Sequence, residues 1–102
     1  METRDQDAIV ESWLVRISGR VQGIGYRQAC VARAQALGIT GWVRNRADGS
    51  VEATLQGSRQ QLADMCGWLR TGVPFASVDD LAVTPAAPPV PRFDRFERCA
   101  TL

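Results

Sequence analysis

Three glycines, with an arginine at the end, mark the stretch of this chain best suited to chemistry. Gly19-Arg20-Val21-Gln22-Gly23-Ile24-Gly25-Tyr26-Arg27 has the make-up of an anion cradle. Glycine permits the backbone angles and close approach that turn several N–H groups, here those of Gln22, Gly23, Ile24, Gly25 and Tyr26, toward one point. A helix starting at the end of the stretch adds its N-terminal dipole. Arg27 then offers a planar guanidinium that can clamp two phosphate oxygens. An ordinary glycine-rich turn with a surface arginine fits the same residues. Two other phosphate loops do not fit, since the stretch lacks the Gly-Lys-Ser/Thr of a Walker loop and the GxGxxG spacing of a dinucleotide site. Nucleotide binding is therefore disfavoured.

A second candidate is Gly41-Trp42-Val43-Arg44-Asn45-Arg46, just ahead of Asp48-Gly49. The neutral amide of Asn45 both donates and accepts, so it can orient a water without acting as a base. The same residue also suits a hairpin, and Arg44 and Arg46 read as solvated strand charges. The sequence contains no histidine, which excludes Ser-His-Asp and Cys-His catalysis, phosphohistidine intermediates and histidine-ligated metals. Cys30, Cys66 and Cys99 are odd in number and far apart. They suit neither a disulfide framework nor a CxxC site and read as small buried hydrophobes in a reducing compartment.

These candidates need elements to hold them. Residues 1–11 form a polar lead-in, and 12–102 form one domain. Trp13, Val15 and Ile17 alternate with Leu14, Arg16 and Ser18, as in a strand with one buried face. Beyond the glycines, Tyr26, Cys30, Ala34 and Leu37 recur at helical spacing until Gly38. Residues 41–45 form a second strand. Val51, Ala53 and Leu55 alternate with Glu52, Thr54 and Gln56 in a third, with Asp48-Gly49 as the turn between them. Ser58 and Gln61 have the spacing of a capping box ahead of Leu62, Met65, Cys66 and Leu69, a helix that Gly72 and Pro74 end. A fourth strand is predicted over 78–84, where Asp79-Asp80 weakens the pattern. The proline-rich run 85–91 is a stiff loop, and 93–101 closes the chain as a short strand. The order β-α-β-β-α-β, with a possible extra strand, predicts an α+β ferredoxin-like split β-α-β sandwich: an antiparallel sheet with both helices on one face.

Twelve basic and eleven acidic residues leave a net charge of +1, so no bulk field draws the chain to nucleic acid or a membrane. No apolar run reaches the roughly 20 residues of a membrane span, and residues 1–7 lack a signal-peptide core. A cytoplasmic monomer is the expectation.

Residues 19–27 closely resemble the acylphosphatase signature G-x-V-Q-G-V-x-[FY]-R. Residues 41–45, followed by Asp48-Gly49-Ser50-Val51-Glu52 and Gln56-Gly57, resemble that family's second signature. The likeness covers 13–102. It implies hydrolysis of a small-molecule acyl phosphate to carboxylate and inorganic phosphate, without cofactor or metal. It also implies a phosphate held by the backbone amides of 22–26 and by Arg27, and a water positioned by Asn45. Ile24 stands where valine is commoner. Arg46 stands where relatives are often small or apolar, which implies a more basic rim. A non-catalytic module of the same fold is the competing reading, but an RNA-binding version wants exposed aromatics that Val51-Glu52-Ala53-Thr54-Leu55 lacks. An accessory unit like the one fused to carbamoyl-transfer enzymes is a further alternative.

Overall fold

The structure, a computed structural model, describes residues 9–102; 1–8 of the expected lead-in lie outside the described residues. The elements are β1 (Glu11–Arg20), α1 (Tyr26–Leu37), β2 (Thr40–Asn45), β3 (Val51–Gly57), α2 (Arg59–Thr71), β4 (Ser77–Pro85) and β5 (Phe96–Arg98). β1 begins at Glu11, the last residue read above as lead-in. Glu11 pairs with Gly57, and its carboxylate accepts from Trp13 Nε1 and Arg59 Nε.

The strands form one sheet in the order β4-β1-β3-β2-β5. Alternation sends Val15, Ile17, Val43, Val51, Ala53, Leu55 and Leu81 to one face, where they are buried. Tyr26, Cys30 and Ala34 of α1 and Leu62, Met65 and Leu69 of α2 join them in a single core. Both helices therefore cover the same face, as the α+β ferredoxin-like reading expected. The capping box at α2 forms, with Gln61 N donating to Ser58 Oγ and Ser58 N donating to Gln61 Oε1. Gln61 Nε2 also donates to Leu37 O, so one side chain caps α2 and ties it to the end of α1.

The sheet is mixed rather than wholly antiparallel, because β5 runs parallel to β2. β4 ends opposite Trp13, at the end of the sheet where β2 begins. A chain leaving there for the far edge enters beside β2 in the same direction. The proline-rich segment makes this crossing over the face that carries no helices. Gln56 holds it there, its Nε2 donating to Pro91 O and its Oε1 accepting from Phe93 N. The last strand is also shorter than the predicted 93–101. Beyond Arg98 the pairing with β2 continues irregularly, through Cys99 N to Val43 O and Leu102 N to Asn45 O. β4 forms despite Asp79-Asp80, since both face solvent on an edge strand.

Candidate active site

The C-terminal end of β1 leads straight into the glycine-rich loop, so loop 21–25 sits at the end of the sheet where β2 and β5 also finish. There Val21, Gln22, Gly23, Gly25, Tyr26, Arg27, Asn45 and Arg98 line a cleft of ≈160 Å³. The two candidate motifs, well separated in the chain, thus meet at one place. Ile24 does not line the cleft; its side chain packs against the core instead, leaving only its backbone to the loop.

The loop's shape follows from its glycines. Gly23 and Gly25 have φ of 77° and 81°, and a Cβ at either would meet nothing within 4 Å. The requirement is therefore conformational, and the space beside them is open to a ligand. Gly25 caps α1 with no side-chain acceptor, and the first turn carries no acid. The first helical hydrogen bond runs from Ala29 N to Gly25 O. Helix geometry gives the N–H groups of Tyr26, Arg27 and Gln28 no carbonyl within α1, an arrangement suited to an anion.

Side chains then fix the loop. Gln22 Nε2 donates to Arg46 O and to Ser50 O, each at 2.9 Å, pinning the loop to the β2–β3 hairpin. Tyr26 turns into the core, where its hydroxyl donates to Leu69 O at 2.8 Å. Burial pushes its phenol well above the ordinary value, so the Tyr26 side chain is a neutral part of the core. Arg27 is half-buried at the cleft, with Nη1 donating to Cys99 O at 3.5 Å. Asn45 carries a buried Oδ1 with no hydrogen-bond partner among the described residues. Leaving such an acceptor unmatched costs about 1–3 kcal/mol, so the amide is suited to a water or ligand donor.

Two expectations about charge need correction. Arg46 does not make the rim basic, because its Nη1 is drawn to Glu52 Oε1 at 3.1 Å. Arg44 is no solvated charge either, since its Nε and Nη2 bind the same oxygen at 3.0 and 2.8 Å. Glu52 gathers both, with Arg16 Nη2 at 3.6 Å, on the open face of the sheet. The second cation of the cleft is Arg98, which the sequence reading did not single out. Its placement depends on β5 pairing with β2, and a three-residue strand leaves no periodicity to read. Among the described residues, no carboxylate lines the cleft and no cluster of three metal-ligating side chains occurs. Cys99 is part-exposed, so of the three thiols only Cys30 and Cys66 are the buried hydrophobes expected.

A family model described as Acylphosphatase matches residues 13–98. This chain belongs to the acylphosphatase family. An acylphosphatase of Polaromonas naphthalenivorans is 59% identical over 98 residues, covering 96% of this chain and 97% of the relative. Acylphosphatase 1 of Ralstonia nicotianae is 58% identical over the full length of both. The crystal structure of the Bacillus subtilis acylphosphatase superposes with a TM-score of 0.82 at 31% identity, covering 89% of this chain and 99% of that one. Acylphosphatase relatives thus match the whole described fold, with both motifs inside the matched span.

Proposed function

We propose that the chain hydrolyses acyl phosphates to carboxylate and inorganic phosphate by direct attack of water on phosphorus. The observation that carries the reading is the meeting, in one cleft, of the α1 N-terminus, Arg27 and the buried unpartnered Oδ1 of Asn45. Loop N–H groups and the Arg27 guanidinium hold the three non-bridging oxygens, where charge gathers in the transition state. Asn45 Oδ1 accepts a hydrogen bond from the water and aligns it opposite the leaving carboxylate. The new P–O bond forms as the bond to the acyl oxygen breaks, and that electron pair leaves with the carboxylate. One water proton stays on the new P–O oxygen and the other passes to a phosphoryl oxygen, so the products are carboxylate and dihydrogen phosphate. Because the mixed anhydride already has a good leaving group, the proposed chemistry uses no general acid, covalent intermediate or metal.

Benzoyl phosphate hydrolysis in excess chelator tests this, with inorganic phosphate as competitive inhibitor. Arg27→Ala and Asn45→Ala are each expected to lower kcat by at least about 100-fold while the protein stays folded. Turnover that disappears with the chelator would overturn the metal-free route. Near-normal turnover in either variant would overturn that residue's role.

A further inference from the structure

Arg98 has no part in the mechanism above, yet it stands at the cleft. β5 pairs with β2 so that Arg98 lies opposite Val43. Val43 is fully buried on the helix-covered face, and Phe96, two residues before Arg98, is buried too. The pleat therefore turns Arg98 to that same face, where it reaches the cleft. Because it is exposed, it stands at the mouth and not on the floor. Arg27 reaches in from α1 to the carbonyl of Cys99, the next residue, so two guanidiniums converge from different elements. Among the described residues neither forms an ion pair.

The size of the cleft says what the second cation meets. A cleft of ≈160 Å³ that opens to solvent takes the phosphoryl group against the loop and leaves the acyl group toward the mouth, where Arg98 stands. The phosphoryl dianion is matched by Arg27 and the loop N–H groups. We infer that Arg98 selects acyl phosphates whose acyl group carries a second negative charge, such as a carboxylate a few bonds from the anhydride. The inference rests on the proposed reaction and names its substrate class.

Initial rates with freshly made succinyl phosphate and benzoyl phosphate test it in wild type, Arg98→Ala and Arg98→Lys. The readout is the ratio of kcat/KM for the charged substrate over the neutral one. Arg98→Ala is expected to lower this ratio about three- to tenfold, mainly through KM, and Arg98→Lys to keep most of it. In wild type, salt at about 0.5 M brings the ratio toward that of Arg98→Ala, because an exposed pair is screened. An unchanged ratio overturns the inference. So do equal losses on both substrates, which would put Arg98 on the transferring phosphate. Calorimetric binding of methylphosphonate and 3-phosphonopropionate needs no turnover: wild type prefers the second, and Arg98→Ala does not. A protein that keeps this preference but hydrolyses neither acyl phosphate refutes the proposed reaction and supports Arg98's role. Hydrolysis without any preference refutes Arg98's role alone.

Discussion

Tyr26 and Arg27 are neighbours in the chain with opposite surroundings. A helix turns by about 100° per residue, so the first faces the core and the second the cleft. One turn on, Cys30 is almost fully buried, and burial pushes its thiol up to about 12. Burial also raises Cys66, with the Arg70 charge opposing it. Cys99 alone is part-exposed, beside Arg27. Since the thiolate is the reactive form, iodoacetamide at neutral pH is expected to label Cys99 first. Cys30 stays unlabelled until the protein is unfolded, as peptide mapping by mass spectrometry would read; early labelling of Cys30 would contradict this burial. Arg27 and Asn45 were legible as candidates because their neighbours announce them: glycines before one, a hairpin turn after the other. Arg98 has no such neighbours, and only tertiary pairing gives it a place at the cleft.

At the scale of elements, β3 departs furthest from the sequence reading. Its alternation predicts one buried and one wet face, yet all seven of its residues are buried. Two elements from elsewhere cover the open face: the proline-rich segment over Thr54 and Gln56, and arginines from β1 and β2 around Glu52. Burial raises the Glu52 carboxyl, but hydrogen bonds from Arg44 and Arg46 outweigh it and hold the group below its ordinary value of 4.5. A depressed folded-state value means that ionised Glu52 contributes stability in full above pH 4.5, and that this is lost as pH falls toward the folded-state value. Glu52→Gln is expected to cost about 1–3 kcal/mol near neutrality and to flatten the acid limb of the stability profile. Urea unfolding at several pH values checks both, and a variant with the wild-type acid limb would overturn the assignment. The helices and the β2–β3 hairpin were legible because caps, periodicity and turn chemistry are local. The direction of β5 was not, because it depends on where β4 ends.

For the molecule as a whole, loop 21–25, Asn45 and Arg98 lie at one end of the sheet, but their supports differ in strength. β1 and β3 are central and pair on both sides, whereas β5 contributes three residues on one edge. Local opening follows such differences. Activity is therefore expected to fall at lower urea than the global loss of circular dichroism, because β5 detaches first and takes with it the Cys99 carbonyl that accepts from Arg27. Coincident transitions would mean that β5 is held as firmly as the core. The opposite edge has another consequence. Among the described residues β4 is an edge strand whose outer row of backbone donors and acceptors pairs with no other strand, the kind of template that draws other chains into ribbons and fibres. Asp79 and Asp80 place adjacent negative charges along it, and Pro85 removes a donor at its end. A second copy approaching in register would bring like charges together and lose a ladder bond. The acidic pair that obscured this strand in the sequence is thus the kind of feature that opposes edge-to-edge pairing of sheets.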